Sequence, residues 1–284
     1  MTVKKLLVAG AGQMGAGIVQ VSAVAGLEVV MIDVADEFIQ RGMDAIEKGL
    51  GRLVDKGRME AAARDAALAR ITTSTDLAAG ADADLFVEAA PEVMAIKEEL
   101  FARAAVTLRA DAIIATNTSS LSVTRLAAFV TEPTRFVGLH FFNPVPVMAL
   151  VEVVRGSATG DETLAAARAY AEAVGKTPIT VTDSPGFVVN RILFPMINEA
   201  AQAFAEGVAS AADIDTGMKL GTNWPMGPLA LADLVGLDTT KAVLESFARE
   251  LSDPKYRPAE IFGELVAAGK LGRKSGAGFY EYGR

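Results

Sequence analysis

The chain has no cysteine and a single histidine among its 284 residues. The first absence excludes disulfides, iron–sulfur clusters and thiolate zinc sites; the second leaves no set of imidazoles for a metal. No metal centre is expected. Positive charge is also scarce, with 27 Lys and Arg against 35 Asp and Glu and a net charge of −8. Without a long basic run, that balance argues against nucleic acid as a partner. An unbroken apolar span is missing too. Lys4 and Lys5 precede Leu6-Leu7-Val8-Ala9 much as in a secretion signal, but Gln13, Gln20, Ser22 and Glu28 interrupt the run before Ile32. No membrane partner is expected, and a cysteine-free chain suits a reducing cytoplasm. What is plentiful is core material: 51% hydrophobic residues predict one large folded domain or two ordinary ones.

Residues 3–9 read as an apolar strand running into Gly10-Ala11-Gly12-Gln13-Met14-Gly15, then an apolar helix over 14–25 and a second strand over 28–32 that ends in Asp33. This is a dinucleotide-binding fingerprint in its required context of strand, glycine turn, helix and strand. Gly10 permits the tight turn, Gly12 lets the backbone approach a pyrophosphate, and Gly15 lets the helix pack closely on the strand. The helix N-terminus, led by Gln13 and Met14, turns free N–H groups toward the phosphates. Asp33 is placed to accept hydrogen bonds from the adenosine ribose, and its charge repels a 2′-phosphate, so NAD is favoured over NADP.

Two amphipathic helices are expected over 36–68. Lys48, Arg52 and Lys56 recur at intervals of four along one helical face. They form either a solvated stripe or a landing face for a phosphorylated substrate tail. Strands follow over 84–88 and 112–116, the second ending in Asn117-Thr118-Ser119-Ser120. Residues 136–139 read as a buried strand that leads into His140 and a Pro-rich loop, and another apolar run carries Glu152 twelve residues later. Alone, a histidine at a strand end is more often structural than catalytic. Here the glycines, Asn117, Ser119 and His140 all occupy carboxyl ends of strands, the edge at which open α/β sheets bind ligands. A helix over 161–174 and a strand over 177–181 complete the alternation.

After Asp183-Ser184-Pro185-Gly186 the pattern becomes helical throughout, beginning with a strongly apolar helix over 187–205 that is expected to be buried on most sides. The fold class predicted is therefore an α/β Rossmann-type domain with a mostly parallel doubly wound sheet over 1–184, followed by an all-α domain over 185–284. Asn190, a polar amide in the apolar helix, either bonds to the linker or faces an interdomain cleft.

These residues resemble the L-3-hydroxyacyl-CoA dehydrogenases, most nearly their short bacterial 3-hydroxybutyryl-CoA-oxidising members. The resemblance runs through the fingerprint, Asn117-Thr118-Ser119-Ser120, His140-Phe141-Phe142-Asn143-Pro144 with Glu152, the stretch from Asp183 through Asn190-Arg191, and Gly272-Arg273-Lys274-Ser275-Gly276. It covers essentially the whole chain. It implies NAD-dependent interconversion of a 3-hydroxyacyl-CoA with its 3-ketoacyl-CoA, with His140 as general acid and base, Glu152 orienting it, and Ser119 and Asn190 on the substrate oxygens. It further implies nicotinamide near Asn117 and Asn143, Glu92 and Lys97 on the cofactor's ribose side, and Lys274 near the site. Lys48, Arg52 and Lys56 would then meet the CoA phosphates, and the helical domain would form a homodimer. With 284 residues no room is left for a fused hydratase, so a free-standing form is expected. Two other readings keep the fold: a dehydrogenase of a sugar acid or carnitine, and a non-catalytic NAD-binding protein.

Overall fold

The computed structural model describes residues 2–283. The chain divides into two compact units, Met1–Phe187 and Val188–Arg284.

The first unit is built on an eight-stranded sheet, ordered β3-β2-β1-β4-β5-β6-β7-β8. The strands are β1 (Lys5–Ala9), β2 (Glu28–Ile32), β3 (Ile71–Ser74), β4 (Leu85–Glu88), β5 (Ile113–Thr116), β6 (Phe136–Phe141), β7 (Leu150–Arg155) and β8 (Thr177–Thr182). Between them run α1 (Gln13–Val24), α2 (Asp36–Asp55), α3 (Ala61–Leu68), α4 (Met94–Thr107), α5 (Val123–Leu126) and α6 (Asp161–Ala173). The first six strands are mutually parallel; only the β6–β7 pairing is antiparallel. Alternate side chains of β1 serve opposite faces. Leu6 and Val8 join a core with α1, α2 and α6, while Leu7 and Ala9 join one with Phe101 of α4 and Leu126 of α5. A sheet covered on both faces explains why β4 and β5 are apolar at nearly every position. Strand order reverses beside β1, because the chain leaves the β3 edge and returns at β4. The crevice outside the carboxyl ends of β1 and β4 is where such a sheet takes a ligand.

Sequence pattern alone passed over β3. Ile71-Thr72-Thr73-Ser74 is short, polar and at the sheet edge, so it has no apolar run to announce it. Strand β6 extends through His140 to Phe141 instead of stopping at Leu139. A buried strand can carry the imidazole because Glu152 stands directly opposite in β7 and hydrogen-bonds to it.

The second unit contains α7 (Val189–Ala205), α8 (Ala211–Gly221), α9 (Pro228–Val235), α10 (Leu237–Glu250) and α11 (Glu260–Ala267) around Ile197, Leu229, Leu244 and Phe262. Helix α7 starts two residues later than the apolar pattern suggests, because Phe187 takes a left-handed φ of 50°. Nor is it buried on most sides: Phe194, Ile197 and Ala201 are buried, whereas Ile192 is 64% exposed. Asp215 caps α9 by accepting the N–H groups of Leu229 (2.8 Å) and Ala230 (2.9 Å). Asp233 accepts those of Phe279 (2.9 Å) and Tyr280 (3.0 Å), tying the C-terminal segment down. The glycines of that segment serve this contact, since a Cβ at Gly278 would lie 1.9 Å from Asp233 Oδ1. Among the described residues, no helix is long and apolar enough to cross a membrane.

Candidate active site

The glycine turn between β1 and α1 has the geometry its sequence demands. Gly10 adopts φ +108°, and a Cβ there would sit 2.5 Å from the carbonyl oxygen of Ala89. A Cβ on Gly15 would fall 1.7 Å from the carbonyl oxygen of Gly10, so only hydrogen lets the helix approach the turn. Gly12 differs: nothing lies within 4 Å of its missing Cβ, and it begins α1 with no side-chain cap. The open face and uncapped helix terminus suit a pyrophosphate. Asp33, just past β2, accepts the N–H of Ala11 through Oδ2 and that of Val34 through Oδ1, both at 2.7 Å. A carboxylate has about four acceptor positions, so two backbone bonds leave capacity for ribose hydroxyls.

These residues open on a cleft of about 1400 Å³ lined by Gly10, Gly12, Gln13, Asp33, Arg52 and Asn143. Elements far apart in sequence thus contribute to one cavity large enough for a dinucleotide with space beyond it. Gly15 lies beneath the turn and Met14 is half-buried beside it. Of the basic stripe, Arg52 lines the cleft; Lys48 and Lys56 are exposed along and just past the end of α2.

At the carboxyl edge of β6, His140 Nδ1 lies 2.6 Å from Glu152 Oε2. His140 is 6% exposed and Glu152 is fully buried. The antiparallel register places the two residues opposite one another, so both project from the same face of the sheet. As a carboxylate, Glu152 accepts from Nδ1–H, and Nε2 is the ring nitrogen that this bond does not use. The rings of Phe142 and Phe187 stand 4.6 and 5.5 Å from the imidazole, holding it in an apolar setting. Asn117, after β5, ties that strand to β6 by accepting the Phe141 N–H at 3.0 Å.

Glu92 and Ser119 adjoin: Glu92 Oε1 accepts the Ser119 N–H at 2.7 Å. Lys97 stands beside Glu92 in the same cluster. It is 1% exposed and its ammonium is 2.5 Å from Glu88 and 3.3 Å from Glu92. Lys97 is thus held between two carboxylates beside the turn that carries Ser119. Lys274 belongs to the second unit, where Asp238 binds it through both oxygens at 2.6 and 2.7 Å. Asn190, in the first turn of α7, is half-buried in the same unit.

Three contributors escaped the sequence reading. Glu88 looked like a strand terminus, and nothing in its spacing announced Lys97. Asp183 appeared as punctuation, yet it accepts the N–H of Thr124 and the hydroxyl of Ser122 at the start of α5. Lys176 reaches the carbonyls of Val145 (2.5 Å) and Met148 (2.9 Å), anchoring the loop that follows His140; burial pushes its pKa down. A lone lysine before a strand carries no sequence signal for that role.

Comparison with known proteins bears directly on this arrangement. Residues 5–184 match the model for the NAD-binding domain of 3-hydroxyacyl-CoA dehydrogenase, and residues 186–282 match that for its C-terminal domain. A probable 3-hydroxybutyryl-CoA dehydrogenase of Deinococcus radiodurans is 51% identical over 278 residues, which cover 98% of this chain and 100% of the relative. The 3-hydroxybutyryl-CoA dehydrogenase of Bradyrhizobium diazoefficiens is 46% identical over 280 residues, 99% of this chain and 96% of its own. The crystal structure of an (S)-3-hydroxybutyryl-CoA dehydrogenase from Ralstonia eutropha superposes with a TM-score of 0.97 at 50% identity, covering 100% of both chains. The chain therefore belongs to the 3-hydroxyacyl-CoA dehydrogenase family and is an NAD-dependent oxidoreductase.

Proposed function

We propose that the protein interconverts (3S)-3-hydroxybutyryl-CoA and acetoacetyl-CoA. The observation that carries the reading is the His140–Glu152 pair, 2.6 Å apart at the strand edge that also bears the dinucleotide turn. Bound NAD supplies the hydride acceptor for oxidation, and its reduced form the donor for the reverse reaction. In oxidation, His140 Nε2 takes the proton of the C3 hydroxyl as the C3–H pair departs; in reduction it returns that proton to the nascent alkoxide. Glu152 keeps Nδ1 protonated and lowers the cost of the imidazolium formed in between. Ser119 and Asn190 hydrogen-bond the substrate oxygens, including the carbonyl oxygen on which charge develops.

In this reading the cofactor rests on Gly10, Gly12, Gln13, Met14 and Gly15, with Asp33 on the adenosine ribose. Its nicotinamide lies near Asn117 and Asn143, Glu92 and Lys97 contact its ribose side, and Lys274 keeps the role near the site that the resemblance implies. Lys48, Arg52 and Lys56 meet the CoA phosphates, a role supported by the position of Arg52 on the cleft wall. The domains of function are residues 1–184 for the cofactor and 185–284 for the substrate and homodimer formation. Exposed Ile192 (64%), Val208 (71%) and Leu220 (81%) in the second unit support the dimer. The site of action is the cytoplasm.

The substrate assignment is tested by NADH oxidation with acetoacetyl-CoA, free acetoacetate and representative keto sugar acids. Turnover confined to the thioester supports it. Comparable turnover of a non-CoA acid would transfer the assignment to the alternative dehydrogenases.

A further inference from the structure

The carboxyl ends of β4 and β5 carry a charged network that reaches, beyond any cofactor contact, the turn bearing Ser119. Lys97 lies in the first turn of α4, where the helix dipole disfavours a cation, and it is 1% exposed. Glu88 compensates it. That carboxylate is fully buried, 2.5 Å from Lys97 Nζ, and it also accepts the Thr116 hydroxyl at 2.6 Å and the Ala90 N–H at 2.7 Å. One carboxylate already balances the ammonium. Glu92 is a second, 3.3 Å from Lys97, with a side chain 38% exposed.

The bonds of Glu92 converge on a single turn. Both of its oxygens accept the Thr118 hydroxyl at 2.9 Å, and Oε1 accepts the Ser119 N–H at 2.7 Å. The Ser119 hydroxyl is 3.4 Å from the same oxygen, at the limit of a hydrogen bond. The difference between the last two distances matters. The backbone of Ser119 is held firmly, while its hydroxyl hydrogen remains free to turn. Such a hydroxyl can donate to a ketone oxygen or accept from an alcohol, as the two directions of the reaction require.

We propose that Glu92 is a positioning residue for Ser119, and that the Glu88–Lys97 pair holds Glu92 in place for it. The inference rests on the reading of Ser119 as a substrate contact. Lys97 is the wrong place to test it, because its removal strands Glu88 as a buried unpaired charge and endangers folding. Glu92 is partly exposed, so its replacement leaves the buried pair intact.

The experiment is a double-mutant cycle of Glu92→Ala and Ser119→Ala, read in kcat and KM for acetoacetyl-CoA reduction, with Glu92→Gln as the conservative variant. Misplacing a reacting-group contact should lower kcat on the order of 10-fold or more for Glu92→Ala. In the Ser119→Ala background the same change should cost less than about 2-fold, since the group it positions is already gone. Glu92→Gln, which keeps an acceptor oxygen, should recover part of kcat. An equal loss in both backgrounds would overturn the inference while leaving Ser119 as a substrate contact, and so would an inert Glu92→Ala. Wild-type turnover by Ser119→Ala alone would instead remove the reading of Ser119, and the positioning role with it.

Discussion

Replacing Glu152 by Gln tests the dyad with the least disturbance of shape. The carboxylate is fully buried, and its Oε2 is 2.6 Å from His140 Nδ1 in the middle of the β6–β7 pairing. Gln has the same outline, so the strands should keep their register. What disappears is a charge-assisted hydrogen bond that opposes the positive charge formed on the imidazole as Nε2 takes a proton. Such a bond contributes about 1.5–3 kcal/mol, and each 1.4 kcal/mol is about a factor of ten. The variant should therefore lose roughly 10- to 150-fold in kcat if the amide oxygen faces Nδ1. If the amide NH2 faces it, the tautomer reverses and the loss should approach about 10⁴-fold. The assay is initial-rate NADH oxidation at saturating acetoacetyl-CoA, with a thermal melt to establish folding. A folded variant that retains kcat within about threefold of wild type would refute the argument, because a loss that small is less than any charged hydrogen bond should produce.

Other consequences follow from the same geometry. Gly12→Ala should fold normally, since nothing lies within 4 Å of the new Cβ, yet weaken NADH binding; Gly15→Ala should depress the melting temperature as its Cβ meets the Gly10 carbonyl oxygen at 1.7 Å. Isothermal titration and thermal melts on the pair separate the two roles. Substituting Lys48, Arg52 and Lys56 together by Ala should raise KM for acetoacetyl-CoA, leave KM for NADH in place, and blunt the salt dependence of the former; unchanged kinetics would make the stripe a solvated surface. In the second unit, the hydrogen bond from Lys274 holds the Asp238 carboxyl below the usual carboxylate range. That interaction helps the fold above the ordinary carboxylate pKa and is lost as pH falls through the lowered value. Lys274→Met should return the Asp238 titration, followed by NMR, toward the ordinary range; an unmoved titration would contradict the assignment of cause.

The parts of this protein that sequence makes legible are those whose physics is local. Gly10 and Gly15 are specified by a turn and a contact within six residues, so the fingerprint and the β1–α1–β2 unit can be read directly. The His140–Glu152 pairing is implied by the resemblance and not by local pattern. Two apolar runs with a Pro-rich loop between them do not state whether the strands are antiparallel or which residues face each other. That register is set by tertiary contacts such as Gly138, whose missing Cβ would come within 2.7 Å of Val154. The burial of Lys97 is hidden for the same kind of reason: a lysine near a ligand edge looks exposed until the sheet brings Glu88 beside it. Strand β3 was too polar and too short to register, and the C-terminal segment around Phe279 and Tyr280 disclosed its anchoring only through Asp233. Local backbone chemistry was readable from pattern; the long-range Glu88–Lys97 pair was not.

The central claim is that His140 moves the proton in a reaction on a 3-ketoacyl-CoA. The most direct measurement compares wild-type protein and His140→Gln for acetoacetyl-CoA-dependent NADH oxidation, with NADH affinity followed by fluorescence. General acid–base catalysis typically contributes about 10²–10⁴-fold, so the account predicts a loss of at least that order in kcat with NADH affinity unchanged. Turnover by His140→Gln at near the wild-type rate would contradict it.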